Sequence, residues 1–457
     1  MISMPDLRAT IDGQVIAPED PEYDEARAVF YGGLDPRPAV IVKVAGADDV
    51  ARVIAFARET GLELAVRSGG HSGAGHCTTD GGIVLDLSSL KAIDIDARGR
   101  TAWAETGLTA GEFSTAVGAH GLALAFGDTG SVGIGGITLG GGIGYLVRKQ
   151  GLTIDSLLAA DVVTADGELV RADESTLPDL FWAIRGGGGN FGVATRFYYR
   201  LHALPQIVGG MLLLPASADT VAGFIAAAEA APEELSTIAN VMPAPPMPFV
   251  PQEHHGKLAI MALMAYAGDA ERGERAMAPF RALATPIADQ LRPMPYAEIY
   301  PPDDPAYHPI AAGRTMFVDH VEHDDARTMI EWIEEHMRSS NAQLAVAQVR
   351  VLGGAMARVP ADATAFAHRA SRIMVNVAAL YGAVEDGPVH EAWVDRFATA
   401  LRQSDRGAYV NFLGNEGENR IRAAYPGRTW ERLAEIKRRY DPINLFRRNQ
   451  NIAPAAR

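Results

Sequence analysis

The sequence predicts an α+β fold of two domains, in which the C-terminal end of the chain completes the first domain. Short apolar segments separated by glycine-rich turns fill residues 1–203, where short strands and helices are expected. Residues 204–412 carry two successive strand–helix–strand–strand–helix patterns, and residues 413–457 contain apolar side chains that need a surface to cover them. Antiparallel strands with helices on one face form an α+β layer, so we expect a large antiparallel sheet backed by helices in the second domain.

The chain is long and acidic. Its 457 residues are enough for two or three domains, and 48% hydrophobic with 21% charged residues is typical of a globular protein. With 56 acidic against 41 basic side chains the net charge is -15, which disfavours nucleic acid and anionic membranes as partners. The composition leaves the oligomeric state open.

Targeting and redox features narrow the class of protein further. The segment from Met1 to Asp6 lacks the basic and apolar regions of a signal peptide, and no apolar run approaches the roughly 20 residues that span a bilayer. Cys77 is the single cysteine, which excludes an internal disulfide and a CxxC pair. We therefore expect a cytoplasmic protein without a membrane partner.

The first domain opens with a strand–helix–strand unit, predicted over residues 39–44, 47–60 and 62–66. A later helix over residues 109–120 has Thr109 as its expected N-cap. An Asp-Gly turn at residues 166–167 is typical of a β-hairpin. The remaining elements are strands at residues 83–87, 101–105, 161–164, 169–171 and 193–201 and a short helix at residues 180–184.

Two series of elements of the same order make up the second domain. The first series covers residues 209–214, 218–231, 236–242, 258–265 and 270–284. The second covers residues 314–320, 325–338, 344–351, 372–380 and 388–403. Their spacing of about a hundred residues indicates an internal duplication. The proline-rich residues 243–251 and 301–309 are expected to form surface loops.

The end of the chain is expected to pack against the first domain. A helix is predicted over residues 430–440, capped by Thr429 and ended by Pro442. The apolar residues that follow it and need burial are Leu445, Phe446 and Ile452. We therefore predict a first domain made of residues 1–203 and 413–457 and a second domain made of residues 204–412.

The stretch from Val66 to Ser72 carries the strongest functional signal. It reads Val-Arg-Ser-Gly-Gly-His-Ser and follows a predicted strand. Glycine allows backbone N–H groups to come close to a ligand, and consecutive N–H groups form a nest that binds anions such as pyrophosphate. This pattern places His71 where a phosphate-bearing ligand would lie.

A second glycine-rich run covers residues 127–136 and continues through residues 139–144. Two such loops about sixty residues apart indicate one long, flat ligand with phosphate groups. A dinucleotide is the strongest candidate.

Other familiar motifs do not fit. Residues 187–192 match GxGxxG by letters, but a predicted helix precedes them and a strand follows, which reverses the Rossmann arrangement. No GxxxxGK[ST] occurs, and Ala74 replaces the second glycine of a GxSxG nucleophile elbow. His320 and His323 lie across a strand–helix boundary, so their side chains are expected to diverge and no metal site is predicted.

Two polar pairs lie on predicted strands. Gln348 and Arg350 alternate along residues 344–352 and so face one side, and Tyr409 and Asn411 alternate likewise along residues 409–412. A tyrosine can act as a general base if a neighbouring cation or hydrogen bonds lower its pKa from about 10. A solvent-facing strand, or a core tyrosine with a satisfied hydroxyl, is the alternative interpretation.

Taken together, these motifs resemble the berberine-bridge-enzyme-like branch of the vanillyl-alcohol-oxidase flavoprotein family. The matching segments are residues 67–72, 139–146, 151–155, 179–193 and 440–446. They cover nearly the whole first domain, whereas the middle domain resembles the family in topology more than in motif. The first half is especially similar to bacterial 6-hydroxynicotine oxidases.

The resemblance implies an FAD-binding domain of the PCMH type, with FAD extended between two α+β subdomains and its ring facing the substrate domain. His71 matches the histidine that bonds covalently to the 8α-methyl group of the flavin. Thr129 stands where many relatives carry a cysteine that forms a second bond to the flavin. The resemblance therefore implies attachment through His71 only.

The resemblance also implies the remaining site residues. Val132 matches the family's oxygen-gate position, where a valine leaves room for O2 and favours an oxidase. Tyr409 matches the tyrosine of the family's Tyr-x-Asn segment, and Gln348 and Arg350 are the candidate substrate-facing partners. The positions implied to contact FAD are Arg67, Ser68, Gly69, Gly70, His71, Ser72, Asp128, Thr129, Gly130, Val132, Gly133, Gly135, Gly136, Leu139, Gly140, Gly141, Gly142, Gly144, Gly192, Val193, Asn411 and Asn449.

The implied function is an FAD-dependent oxidase that acts on a small-molecule alcohol, sugar or amine. Tyr409, assisted by Arg350, would take a proton while hydride moves to flavin N5, and O2 would accept the electrons to give H2O2. Two alternatives stay open: an oxidative cyclase or tailoring oxygenase on the same scaffold, and a flavin-binding protein without turnover. Product analysis separates the first alternative, because cyclisation leaves a new ring.

Overall fold

The computed structural model describes residues 4–302 and 304–456 of the chain. Residues 1–3, on which part of the signal-peptide expectation rests, lie outside the described residues, as does residue 303 of the loop predicted at 301–309. The described parts of both proline-rich segments are mostly exposed, as predicted.

The described residues up to position 203 form a four-stranded sheet, a five-stranded sheet and a two-stranded ribbon, with helices between them. The strands are β1 (Gln14–Ile16), β2 (Val40–Lys43), β3 (Leu64–Arg67), β4 (Ile83–Asp86), β5 (Ile93–Asp96), β6 (Thr101–Glu105), β7 (Leu122–Ala123), β8 (Leu157–Val163), β9 (Leu169–Asp173), β10 (Val193–Arg200) and β11 (His202–Ala203). The helices are α1 (Met4–Thr10), α2 (Tyr23–Arg27), α3 (Ala47–Thr60), α4 (Ala110–Gly118), α5 (Ile134–Leu139), α6 (Val147–Gln150) and α7 (Pro178–Ile184).

The predicted strand–helix–strand unit is confirmed. In the four-stranded sheet, of order β1-β2-β4-β3, both β2 and β3 run parallel to β4, and α3 crosses between them over the predicted residues. The five-stranded sheet, of order β5-β6-β10-β8-β9, is antiparallel and contains the predicted hairpin β8–β9. Thr109 caps α4 in a capping box with Glu112, also as predicted.

The second part of the chain forms one large sheet and its helices. The strands are β12 (Ile207–Pro215), β13 (Leu235–Pro243), β14 (Leu258–Tyr266), β15 (Ala288–Asp289), β16 (Arg292–Met294), β17 (Ile310–Val318), β18 (Leu344–Val351) and β19 (Ile373–Tyr381). The helices are α8 (Ala218–Ala230), α9 (Ala270–Arg281), α10 (His323–Ser339), α11 (Ala355–Arg358) and α12 (Gly387–Leu401), followed near the C-terminus by α13 (Glu418–Ala424) and α14 (Arg428–Tyr440).

The strand order of this antiparallel sheet supports the predicted duplication. The order is β15-β12-β14-β13-β18-β19-β17, with β16 beside β12, so the two series meet at the central pair β13–β18 and run outward in matching order. Apolar side chains on one face of the sheet pack with α8, α9, α10 and α12 into a single core. The fold is therefore α+β, with the large antiparallel sheet backed by helices.

Two local predictions are wrong. Residues 409–412 are not a strand: Val410–Phe412 form a 3-10 turn, so Tyr409 and Asn411 come together through the turn and not through strand alternation. The helix predicted at 430–440 begins earlier, at Arg428, and Gly427 precedes it, so Thr429 lies inside the first turn and is not the cap.

The C-terminal segment is fastened to the first domain by a fully buried ion pair. The Lys437 Nζ atom donates to Asp441 Oδ2 at 2.6 Å, to the Asn190 carbonyl at 2.7 Å and to the Phe446 carbonyl at 2.8 Å. All three ammonium protons are thus used, which is the condition for burying a lysine without a large penalty. Phe446 and Ile452 are buried as predicted. We propose the division into residues 1–203, 204–412 and 413–457 on this basis.

Residues 4–302 and 304–456 contain neither a membrane-spanning helix nor a cluster of metal ligands. None of their helices has both the length and the apolar character required for a membrane crossing. Their His, Cys, Asp and Glu side chains form no group of three that could hold a metal ion.

Candidate active site

A cavity of about 800 Å³ lies between the first domain and the face of the large sheet that turns away from its helices. The glycine-rich loop after β3 and the loop before α5 form one side. Residues 188–194 and the C-terminal residues 446–450 form another, and strands β17, β18 and β19 close it. The cavity therefore combines all the segments that the sequence marked as functional.

The loop after β3 presents a backbone nest to the cavity. Gly70 has φ +72, a left-handed conformation that a side chain would strain. The N–H groups of Gly69 and Gly70 donate to no described residue, although they lie in a cavity wall. Unused donors in this arrangement bind anions, so the loop fits a phosphate-bearing ligand.

The two glycine loops touch backbone to backbone. A Cβ added to Gly69 would lie 2.7 Å from Gly133 Cα, and one added to Gly133 would lie 2.8 Å from Gly69 Cα. The Ser68 hydroxyl holds the first loop by donating to the Thr106 carbonyl at 2.6 Å. Only glycine fits at this contact, which fixes the distance between the loops.

His71 lies in the same wall, with its ring stacked on Phe30 at a centroid distance of 4.0 Å and an angle of 20°. Cys77 also lines the cavity, and burial raises the pKa of its thiol. His76 lies further along the same stretch of chain and also lines the cavity. Burial, together with the nearby Arg448, lowers its pKa to about 4, so its imidazole is neutral at physiological pH.

The C-terminal residues offer a polar group without a partner. Asn449 donates through its amide nitrogen to the Phe446 carbonyl at 2.9 Å, but its buried Oδ1 accepts from no described residue. Asn190 ties this segment to the glycine turn before β10, because its Oδ1 accepts from the Ile452 N–H at 3.0 Å. A buried acceptor of this kind in a cavity wall is expected to serve a ligand.

Three N–H donors converge on the hydroxyl oxygen of Tyr409. The backbone N–H groups of Gly142 and Ile143 donate to it at 3.1 and 3.2 Å, and the Asn411 side chain donates at 3.0 Å. Such donors favour the phenolate form. Burial outweighs them, and the pKa of Tyr409 is raised above its usual value of 10.0.

The charge of Arg350 helps to lower the pKa of Tyr409, as predicted, although burial outweighs it. Its guanidinium pairs with Asp128 across the two domains, and it donates to Gln348 Oε1 at 2.7 Å. Gln348 in turn donates to Asn240 Oδ1 at 3.0 Å. The same guanidinium therefore acts on Tyr409 through its charge and links the second glycine loop to β18 through its ion pair.

The structure brings most of the predicted site residues into the cavity wall. Those in the wall are Ser68, Gly69, Gly70, His71, Ser72, Asp128, Thr129, Val132, Gly133, Gly135, Gly136, Leu139, Gly192, Val193, Gln348, Tyr409, Asn411 and Asn449. The others lie behind the wall and are Arg67, Gly130, Gly140, Gly141, Gly142, Gly144 and Arg350.

The residues behind the wall support it. Arg67 pairs with the buried Asp86 at 2.8 Å and donates to the Ala26 carbonyl at 2.6 Å, so its guanidinium does not point into the cavity. Gly140 leaves room for the Asn411 amide, since a Cβ there would collide with it. These positions therefore shape the site indirectly.

Several residues of the wall were not predicted. Phe30 and Tyr31 come from a loop with no motif, and Asn376 comes from β19, which carried no functional signal in the sequence. Arg448 and Gln450 also line the wall. They flank the predicted Asn449, and this adjacency is the feature of the sequence that could have identified them.

Comparison with known proteins supports a cofactor-binding role for the cavity. Residues 38–173 match the family described as FAD binding domain, and residues 408–453 match the family described as berberine and berberine like. The (R)-6-hydroxynicotine oxidase of Paenarthrobacter nicotinovorans is 29% identical, covering 97% of this chain and 97% of its own. An uncharacterized FAD-linked oxidoreductase of Bacillus subtilis is 31% identical, covering 97% of this chain and 99% of its own.

A solved structure gives the same result for the fold. The crystal structure of 6-hydroxy-D-nicotine oxidase from Arthrobacter nicotinovorans superposes with a TM-score of 0.86 at 27% identity, covering 97% of this chain and 98% of that one. The chain belongs to the berberine-bridge-enzyme-like branch of the vanillyl-alcohol oxidase family, and it is an FAD-linked oxidoreductase.

The residues present fit FAD. The unused N–H groups of Gly69 and Gly70 suit its phosphates, and the orphaned Asn449 Oδ1 suits a hydroxyl or ring N–H of the cofactor. The volume of about 800 Å³ is in the range of cofactor sites.

The Arg350–Asp128 pair is expected to stabilise the joint between the domains. The Arg350→Met variant leaves a carboxylate that is 24% exposed without its partner, so the free energy of unfolding should fall by about 3 kcal/mol. Urea unfolding measures this change. The double variant Asp128→Asn, Arg350→Met should lose less than the sum of the two single variants. Strict additivity would contradict the predicted coupling.

Proposed function

We propose that this protein is an FAD-dependent oxidase whose flavin is attached through His71 alone. It oxidises a C–H bond of an alcohol, sugar or amine and uses O2 as the electron acceptor, which gives H2O2. The observation that carries the proposal is the meeting of His71, Val132 and Tyr409 in one cavity, although they are far apart in sequence. Oxidase names among the relatives support it.

The cofactor supplies the redox step. When bound, FAD provides a ring that accepts hydride from the substrate carbon and whose two electrons then reduce O2. The protein's contribution is to hold that ring, exclude water around it and accept the substrate proton.

His71 is the proposed attachment residue. It lies on the glycine loop that carries the unused N–H donors, and its stacking on Phe30 fixes the plane of the imidazole. Thr129 lines the cavity at the position where relatives with a second bond have cysteine, and a threonine hydroxyl is a poor nucleophile for that reaction. Attachment through one bond follows from this pair of residues.

Tyr409 is the proposed base. The Gly142, Ile143 and Asn411 donors would stabilise the phenolate that forms as the hydroxyl proton leaves, because they are already in place before the reaction. Because its pKa is raised above 10.0, the phenolate form is scarce at neutral pH and becomes more abundant as the pH rises. Val132, in the loop that holds Thr129, is the proposed oxygen gate, since its small side chain leaves space beside the ring.

The covalent bond is tested by acid precipitation of purified protein. Yellow colour should stay with the wild-type pellet and with Cys77→Ser, and it should leave the pellet of His71→Ala. Cys77→Ser is the matched control, because the Cys77 thiol lies in the same wall and could also bond to a flavin. Colour lost from Cys77→Ser would contradict attachment through His71 alone, and flavin freely released from wild type would contradict any covalent bond.

Turnover is tested with a panel of alcohols, sugars and amines, by O2 consumption and H2O2 release. With any substrate found, Tyr409→Phe should lower kcat/KM by about a hundredfold to ten-thousandfold while the flavin content stays unchanged. The wild-type rate should rise about tenfold per pH unit below the pKa of Tyr409, and the variant should lose this slope. Tyr199→Phe is the control. It removes a buried tyrosine hydroxyl that lies outside the cavity and is hydrogen-bonded to Thr138 at 2.8 Å. An unchanged kcat/KM in Tyr409→Phe would exclude it as the base.

A further inference from the structure

The substrate side of the cavity is a row of polar residues across four neighbouring strands. Gln348 on β18 is in register with Asn240 on β13 and with Asn376 on β19, and Asn376 is in register with Thr315 on β17. Residues in register on antiparallel strands project from the same face, so all four side chains lie on the cavity side of the sheet. Gln348 and Asn376 line the cavity itself.

The hydrogen bonds in this row are unevenly distributed. Both polar atoms of Gln348 have partners: its Oε1 accepts from Arg350, and its Nε2 donates one N–H to Asn240 Oδ1 at 3.0 Å. By contrast, no described residue hydrogen-bonds the half-buried Asn376 amide. Thr315, beside it on the edge strand, has a buried hydroxyl that is likewise without a partner among the described residues. Unused polar groups in a cavity wall are expected to meet a ligand.

The charge of the wall limits the kind of ligand. The acidic residues that line the cavity are Asp128 and Glu391. Asp128 is paired with Arg350, and Glu391 Oε2 accepts from Arg314 Nη2 at 2.7 Å. Arg314 also pairs with Asp395 at 2.7 Å. Both wall carboxylates are therefore already in ion pairs, and an ammonium group would lose hydration and compete with a guanidinium for either of them.

The space around Asn376 is open. Its neighbours in the wall are the small residues Ala311, Gly313 and Ala378, and a Cβ added to Gly313 would still be 3.9 Å from Asn376 Oδ1. An amide both donates and accepts, and so does a hydroxyl, so the two can form hydrogen bonds in either direction.

We propose that Asn376 determines specificity by hydrogen-bonding a hydroxyl group, and that the substrate is a neutral hydroxyl-bearing molecule and not a cationic amine. This inference rests on the proposed oxidase function and narrows its substrate class. Gln348, which the sequence singled out, acts as a positioning residue that holds Arg350 and Asn240 beside the site.

The test compares two probes of equal shape, cyclohexanol and cyclohexylamine, which is protonated at neutral pH. Binding is followed by the change in flavin absorbance and, independently of flavin, by the shift in melting temperature. Wild type should bind cyclohexanol about tenfold more tightly than cyclohexylamine. Asn376→Leu should weaken cyclohexanol binding about tenfold and cyclohexylamine binding less, because a hydroxyl can use both the donor and the acceptor of the amide whereas an ammonium can use only the acceptor.

Two further variants make the test specific. Asn376→Asp keeps the shape of the side chain but adds a free carboxylate, so it should reverse the preference towards cyclohexylamine. Gln343→Leu removes an exposed amide just ahead of β18, outside the cavity, and should leave both affinities unchanged.

The outcomes separate this inference from the proposed function. Protein that contains no flavin would contradict the oxidase proposal, and the melting shifts would still report the preference between the probes. Flavin-loaded protein that binds cyclohexylamine as well as cyclohexanol, or that is indifferent to Asn376→Leu, would overturn the role of Asn376 alone.

Discussion

The close approach of Gly69 and Gly133 is the constraint on which the rest of the site depends. The two glycine loops meet there with no room for a Cβ on either side, so the contact fixes the distance between two segments of the cavity wall. Beside this contact, the N–H groups of Gly69 and Gly70 donate to no described residue, although both glycines line the cavity. Unused backbone donors in a cavity wall suit a phosphate-bearing cofactor.

Polar contacts between the two domains hold the substrate side of the cavity in place relative to the contact between the glycine loops. Arg350 pairs with Asp128 of the second glycine loop, and Gly142 and Ile143, which follow α5, donate to Tyr409. These polar contacts therefore position Tyr409 and the polar row of the sheet relative to the two glycine loops. Lys437 and Asp441 act similarly at the C-terminal end, where they fix the segment that carries Asn449.

Local sequence predicted the parts of the site that depend on local structure. The strand–glycine–histidine order around His71 and the helix over 47–60 needed only neighbouring residues, and both are found where expected. Tyr409 lies in the cavity wall, but its segment is a turn and not the predicted strand, and its hydroxyl accepts from residues 266 and 267 positions away. The partner of Arg350, Asp128, is 222 positions away in sequence. Asn376 stands out because no described residue hydrogen-bonds its side-chain amide. Such features depend on tertiary packing, which periodicity and spacing do not encode.

The most direct test of the central claim is the flavin content of Gly133→Ala against Gly136→Ala. Both are cavity-lining glycines of the second loop, but an added Cβ collides with Ser68 and Gly69 at position 133 and meets nothing within 4 Å at position 136. The account predicts that Gly133→Ala folds, as judged by circular dichroism, but carries little flavin, while Gly136→Ala keeps the wild-type flavin absorbance per chain. Equal flavin content in the two variants would contradict it.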